Sequence, residues 1–444
     1  MKSIITKAMI VCIINILTIS NANSQSNIGK TEISKWQDGK KGAVSITYDD
    51  GSINQFRKAV PIMNRLELPG TFFINTGLIP GSKYQGKFIG RPVSQIIDET
   101  KNIPTNKDNV YERASAARYL GFAGTNDYFT RAGSRIDAGR PEEAYKILDD
   151  LYQKVASGEL APETTVTGTV TNKDTLTWDM VKTHIAQGHE FASHMVTHPY
   201  VCALDEVNLL YELEKSREEL LKRIGLKYTF SAECPYGTEN ERAMQYAYKV
   251  YPALRNRIPE EYLLELNRSS RKTPVNTNFE YVQWQRGILS KTAPSTMNAW
   301  IDTTAFQNNI WLVLVLHGID GIGWEAVSSK TVDDYFSYIK SKDNDLWVAT
   351  FGDAARYMTE RMNTKVSSSL KGDKINVTLT LSLDKKLYNL PLTLKTYVDP
   401  KWEEAKIKQG KSVTKIKVQR EGPTAFVSYR ANPTKGAITI SEVK

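Results

Sequence analysis

"AVSITYDDGSINQFRKAVPIMNRLELPGTFFIN", Ala43–Asn75, is the stretch that decides the fold. Ala43–Tyr48 is apolar and rich in β-branched residues, which reads as a buried strand. Phe56–Leu66 carries Val60, Ile62, Met63 and Leu66 with helical spacing, and Gly70–Asn75 reads as a second strand. Strand, helix and strand in that order predict parallel strands covered by helices. Asp49 and Asp50 close the first strand side by side, where an unpaired buried charge costs several kcal/mol. Adjacent residues at a strand terminus point in different directions, so the two carboxylates can serve two different groups.

The alternation resumes at "TLTWDMVKTHIAQGHEFASH", Thr175–His194, where Trp178–Gln187 reads as a helix, Gly188 ends it, and "EFAS" is a short strand. A second helix is predicted over Asp205–Ile224, ended by Gly225. "YTFSAECPYG" (228–237), "NIWLVLVLH" (309–317) and "DLWVATFG" (345–352) supply further strands, each ending in polar or glycine-containing sequence. Active-site residues of barrels collect at such C-terminal strand ends. Between residues 80 and 173 the clearest element begins at Pro141, with Ala144, Ile147, Leu148, Leu151 and Val155 recurring as on a helix. That section reads as a helical insertion. Beyond Tyr357 the pattern switches to period two in "KINVTLTLSL", "LPLTLKTYV", "SVTKIKVQR", "TAFVSYRA" and "GAITISEV", as in a small antiparallel sandwich. The expected architecture is α/β, a distorted (β/α) barrel over residues 25–362 followed by an all-β domain over 363–444. The boundary falls in a polar stretch running from Asn363 to Ser369.

Residues 1–24 carry Lys2 and Lys7, an apolar run and then small residues, which predicts a secretory signal peptide cut after Ser24 with Ala22 at the minus-three position. The expectation is therefore a secreted, periplasmic or extracellular protein with no transmembrane span once that segment is removed. Cys202 and Cys234 are then the remaining cysteines, too few for a disulfide-stapled scaffold, although an oxidising compartment would permit them to pair. The chain has a net charge of +9, and residues 365–444 alone hold 16 Lys and Arg against 7 Asp and Glu. The basic excess thus sits in the β-domain, which suits either a solvated surface or an acidic glycan or cell-surface partner. No nucleic-acid partner is expected.

Two of the five histidines stand four apart in "SHMVTHP", His194 and His198, a spacing that on a helical turn puts both imidazoles on one side and suits one divalent ion. A carboxylate at a strand end would supply the third ligand. One aspartate of the Asp49–Asp50 pair can then hold the ion while the other takes a proton as general base. His184 lies in a helix and His189 follows its terminal glycine, so both read as structural. Glu233 reads as a hydrogen-bonded structural carboxylate and Cys234 as a packing residue.

"TYDDG" (47–51), "HMVTHP" (194–199), "CPYG" (234–237) and "LVLH" (314–317) occur in the order of the motifs of carbohydrate esterase family 4, the polysaccharide deacetylases with the NodB homology domain. The resemblance spans about residues 43–358, apart from the insertion. It implies a distorted barrel and a divalent metal, Zn2+ being favoured. Position by position it makes Asp49 the catalytic base, Asp50, His194 and His198 the metal ligands, and His317 the general acid. It makes Tyr236 the residue whose backbone N–H stabilises the oxyanion and Leu316 an apolar wall for the acetyl methyl. Trp324 and Tyr200 are candidate stacking partners for sugar rings. The implied reaction is hydrolysis of N- or O-linked acetyl groups on an acetylated polysaccharide or oligosaccharide, releasing acetate. Two departures stand out. Glu233 occupies the place of an arginine that orients the catalytic aspartate, leaving Arg255, Arg257 or Arg286 as substitutes. The remaining Asp/Trp motif has only "YVQWQRG", with Trp284 and Arg286, as a counterpart. These departures keep two alternatives open: a catalytically weak or inactive carbohydrate-binding protein on the same fold, and a hydrolase of non-glycan C–N bonds.

Overall fold

The computed structural model describes residues 27–163 and 175–443, and the predicted signal peptide lies outside the described residues. The first strand, β1 (Thr31–Ile33), belongs to the C-terminal sheets described below. The main sheet has nine strands: β2 (Gly42–Tyr48), β3 (Gly70–Ile74), β4 (Glu190–Ser193), β5 (Ser231–Ala232), β6 (Ala253–Leu254), β7 (Leu263–Leu266), β8 (Tyr281–Gly287), β9 (Ile310–Leu316) and β10 (Leu346–Val348). Their order is β6-β5-β4-β3-β2-β9-β8-β7, with β10 paired to β2, and every pairing is parallel. The path opens between β6 and β7, giving the distorted barrel that the alternation predicts. Every residue of β2, β3 and β9 is buried, as expected for strands covered on both faces.

The predicted helix over Phe56–Leu66 is broken in two. Gln55–Ala59 is π-helical and only Val60–Arg65 is α-helical. Such bulges recur at functional sites, and this one points Gln55 at the strand ends. The helix Trp178–Ala186 starts where Thr177 accepts the Met180 N–H, and Glu206–Ile224 starts where Asp205 accepts the Asn208 N–H. Strands β7 and β8 escaped the sequence reading. Gln283 and Gln285 of β8 are fully buried inside the barrel, so the strand lacks an unbroken apolar run.

Among its described residues the insertion folds into four helices, Val93–Thr100, Val110–Ala117, Thr125–Asp137 and Pro141–Ser157. Their apolar faces merge with Met195, Val201, Cys202, Leu209, Ala232 and Cys234 into one core. The insertion is therefore packed directly beneath the turn that carries the histidine pair. Cys202 and Cys234 are both buried and free, with no disulfide between them.

The C-terminal region adds β11 (Thr364–Lys371), β12 (Lys374–Leu381), β13 (Leu392–Val398), β14 (Glu404–Gln409), β15 (Ser412–Lys417), β16 (Gln419–Glu421), β17 (Thr424–Ala431) and β18 (Ile438–Glu442). They form two antiparallel sheets, β1-β13-β17-β16 and β11-β12-β18-β14-β15, around a core of residues such as Val377, Leu394, Ile407, Val427 and Ile440. The polar stretch from Asn363 to Ser369, where the boundary is placed, is from Thr364 onward the edge strand β11. Residues 31–33, read as part of the barrel region, pair with β13. No helix among the described residues is long and apolar enough to cross a membrane.

Candidate active site

The parallel sheet brings its C-terminal ends to one side, and the ladder runs one residue past several strands. Asp49 N–H donates to Leu316 O, His194 N–H to Ile74 O, Glu233 N–H to Ser193 O and Arg255 N–H to Ala232 O. Side chains at and beyond the ends of β2, β4, β5, β7, β8 and β9 thus enter one cleft of about 710 Å³ lined by Asp49, Asp50, His194, His198, Glu233, His317 and others. Asp50 adopts a left-handed φ of 72°, followed by Gly51 at 70°, and this turn separates its carboxylate from that of Asp49.

His194 and His198 come together, but not on a helix. They flank a turn after β4 in which Met195 and His198 have φ of 66° and 61°. Glu212 accepts the backbone N–H groups of Val196 and Thr197 at 2.8 and 2.9 Å, and Arg118 donates to Thr197 Oγ1 at 2.7 Å and its carbonyl at 3.1 Å. Asp50 Oδ1 lies 3.6 Å from His194 Nε2 and 3.2 Å from His198 Nε2. His194 Nδ1 donates to the Glu233 carbonyl at 3.0 Å, which leaves Nε2 as the lone-pair nitrogen facing Asp50. One ligand atom from each of Asp50, His194 and His198 thus lies within 4.8 Å of the others, an arrangement that could hold a metal ion. Two imidazoles and a carboxylate fit a divalent ion such as Zn2+. Burial alone would raise the Asp50 carboxyl, but the two imidazoles beside it pull it well below the carboxylate range. On His194 burial favours the neutral ring, and Asp50 outweighs it, raising the imidazole.

Asp49 sits on the other side of the cleft, 2 % exposed. Arg255, fully buried, donates to both its oxygens in a fork, Nη1 to Oδ1 at 2.6 Å and Nη2 to Oδ2 at 2.7 Å. The same guanidinium meets Glu233 Oε1 at 2.9 Å and Thr47 Oγ1 at 3.1 Å. Burial raises the Asp49 carboxyl, but Arg255 and then His317 overcome it and keep it ionised. Of the three arginines that could replace the one missing at position 233, the structure selects Arg255. Arg257 pairs with Glu241, and Arg286 lies over the Trp284 ring and donates to the Gln285 carbonyl. Glu233 is held by Arg255 and Asn256, a structural carboxylate as its sequence context suggests.

His317 Nε2 lies 3.3 Å from Asp49 Oδ2, its ring meets Trp324 edge-on at 4.7 Å, and its buried Nδ1 has no partner. Burial lowers the imidazole, and Asp49 only partly compensates. Gln55, unnoticed in the sequence, donates from Nε2 to the carbonyls of Asp49 at 2.6 Å and His317 at 2.7 Å, tying the two strand ends together.

Tyr236 has a φ of 63°, and its ring stacks on Tyr200 at 3.9 Å. Tyr200 in turn sits on the insertion: a Cβ on Gly133 would come within 2.6 Å of it, so only glycine allows this approach. Trp324 and Leu289 line the cleft and are exposed. Leu316, by contrast, is 1 % exposed within the barrel core and does not line the cleft. Leu289 is the aliphatic side chain there. Arg268, also missed, lines the cleft with no carboxylate or carbonyl partner among the described residues. His184 and His189 stand apart from the site, with His189 Nδ1 accepting the Gly70 N–H at 3.1 Å and Nε2 facing Asn64 Oδ1 at 2.9 Å.

The family model for polysaccharide deacetylase matches residues 144–251. This bears out the resemblance read from the motifs over a segment holding both histidines, Glu233, Tyr236 and the last insertion helix. Asp49, Asp50 and His317 fall outside it and rest on geometry. Among curated proteins, a gellan lyase of Bacillus sp is 26 % identical over 284 residues, 60 % of this chain and 11 % of its own length. The membrane-associated protein TcaA of Staphylococcus saprophyticus is 27 % identical over 154 residues, 33 % of this chain and 30 % of its own. The chain thus spans about a tenth of the first relative and under a third of the second. A putative polysaccharide deacetylase from Mycobacterium smegmatis aligns over 77 % of this chain and 98 % of its own, at 12 % identity and a TM-score of 0.38. At that score the fold stands on the strand pairing itself.

Proposed function

We propose that this chain is a metal-dependent polysaccharide deacetylase that hydrolyses N- or O-linked acetyl groups of an acetylated polysaccharide or oligosaccharide and releases acetate. The carrying observation is the division of one cleft into two halves. Asp50, His194 and His198 converge on one side, and an arginine-held Asp49 beside His317 stands on the other. A divalent ion, Zn2+ by the donor set, would be held by Asp50, His194 and His198 and would supply Lewis acidity toward a carbonyl and a lowered pKa for water.

The chain's own groups account for the proton movements. Asp49, ionised through Arg255, accepts the proton of the attacking water. His317 passes a proton to the departing amine or hydroxyl, completing the products. The backbone N–H of Tyr236 is assigned to the oxyanion, a contribution of roughly 3–4 kcal/mol for a good donor. The Tyr236–Tyr200 stack and Trp324 offer faces to sugar rings, and Leu289 takes the place assigned to Leu316 beside the acetyl methyl. Secretion rests on the signal-like residues 1–24, and an extracellular or periplasmic glycan suits it.

The test is acetate release from a panel of acetylated glycans by the Zn2+-loaded chain, alongside metal content. Asp49→Asn should retain one ion and lose about 10²–10⁴-fold in turnover. Near-normal turnover would remove Asp49 from the base role, and a wild-type chain that neither takes up metal nor releases acetate would overturn the reading.

A further inference from the structure

Antiparallel register lines up one residue from each strand of the sheet β11-β12-β18-β14-β15. Lys371 stands opposite Lys374, Lys374 opposite Ser441, Ser441 opposite Lys406 and Lys406 opposite Lys415. These five share the outer face, because their strand neighbours Ile375, Ile440, Ala405 and Ile407 are buried in the region's core. At a strand spacing of about 4.8 Å the row is roughly 19 Å long. All four lysines are exposed. The ion pairs nearby, Lys395–Glu421 and Arg420–Glu403, involve none of them.

The rest of the face has the same character. Lys408 and Lys417 flank the row, Lys365 lies on the same face at the far end of β11, and Glu404, opposite Lys417, is the single acid at these strand positions. Ser367, Ser369, Asn376, Thr378, Thr380, Thr439 and the exposed Val413 fill the remaining positions. Like charges directly opposite one another destabilise a sheet. Lysines on edge strands have an ordinary explanation, since they block edge-to-edge aggregation. That covers Lys371 on β11 and Lys415 on β15, but Lys374 and Lys406 lie on interior strands. Each interior lysine directly faces an edge lysine, Lys374 facing Lys371 and Lys406 facing Lys415, and an anion lying across the strands would offset both repulsions.

We infer that this face binds a polyanionic polysaccharide lying across the strands, its carboxylates or sulfates meeting the lysine row and its hydroxyls the Ser, Thr and Asn side chains. The face carries no aromatic ring, so base stacking, on which single-stranded nucleic-acid binders rely, is missing. That the ligand is a carbohydrate rests on the deacetylase reading above; that it is an anion rests on the face alone.

The experiment compares the full chain with K371Q/K374Q/K406Q/K415Q and with K385Q/K386Q/K401Q/K435Q, which removes the same charge off the face. Binding is measured to polygalacturonate, to neutral pullulan, to single-stranded DNA and to phosphatidylglycerol vesicles. We expect polygalacturonate to bind, salt to weaken it, the row variant to lose at least tenfold at unchanged melting temperature, and the off-face variant to bind as wild type. Equal losses in both variants, equal binding of pullulan, or retention of DNA or vesicles without polygalacturonate would overturn the inference. Acetate release from a short acetylated oligosaccharide is followed in parallel. Binding without acetate release would fail the deacetylase reading while leaving the lysine face standing, and the reverse result would do the opposite.

Discussion

Arg255 offers the sharpest test of how this site works. Its guanidinium is fully buried between Asp49 and Glu233, with contacts of 2.6, 2.7 and 2.9 Å. Arg255→Met would leave two buried carboxylates facing each other uncompensated, and breaking a buried pair costs about 3–5 kcal/mol. At roughly 2–4 °C per kcal/mol for a large domain, the melting temperature should fall on the order of 10 °C. Asp49 loses the guanidinium that overcomes its burial, so its carboxyl rises and more of the base is protonated near neutral pH. The acid limb of the kcat profile must therefore move to higher pH. Arg255→Lys keeps the charge but not the two-pronged geometry, and serves if the methionine variant does not fold. It should lower kcat about 10²-fold, the lower end of a general base's contribution, with KM and Zn2+ content near wild type. Unchanged kcat and an unmoved acid limb in a folded Arg255 variant would refute the positioning role.

Two further outcomes follow from the same geometry. Chelation should abolish acetate release and Zn2+ restore it, whereas Asp50→Ala should weaken Zn2+ binding by calorimetry at least tenfold without removing Arg255 from Asp49. His189 is buried and held neutral, because its Nδ1 accepts a backbone N–H, and burial pushes its pKa down to about 4. As pH falls below about 6.5 the unfolded chain takes up this proton before the folded one, so stability is lost between about pH 6.5 and 4. Between pH 7 and 5 the loss from this residue is about 2 kcal/mol. Denaturant unfolding should show that slope in the wild type and its absence in His189→Gln.

The barrel was legible where strands are buried on both faces, as in β2, β3 and β9, because nothing polar interrupts them. It was illegible where barrel-facing positions are polar: Gln283 and Gln285 hide β8. β11 does not show as a strand in the sequence because its outward positions are Lys and Ser and most of its residues are exposed. β1 is too short to announce that its partner, β13, comes some 360 residues later. At the site, Asp49, Asp50, His194, His198 and His317 carry chemistry in their residue types, so the sequence could nominate them. Gln55 and Arg268 act through position alone. Leu316 fails for a related reason: the period-two alternation of β9 decides which side it faces, and the burial of every residue in that strand masks the phase.

The exchange at position 233 has a physical logic that extends beyond this residue. β5 and β6 pair with Ala232 opposite Leu254, so Glu233 and Arg255 are the next residues along and stand side by side at the strand ends. A guanidinium supplied from either strand therefore enters the same space next to Asp49. With arginine at 255, a carboxylate at 233 becomes an asset, because it helps hold the guanidinium. Arg255 and a divalent ion together offset Asp49, Asp50 and Glu233, which makes the site neutral apart from Arg268. A site in which only one member of the Glu233–Arg255 pair had changed would bury an odd charge. Glu233 and Arg255 thus form one matched pair, and E233R/R255E should restore both the fold and the acid limb better than either single substitution does.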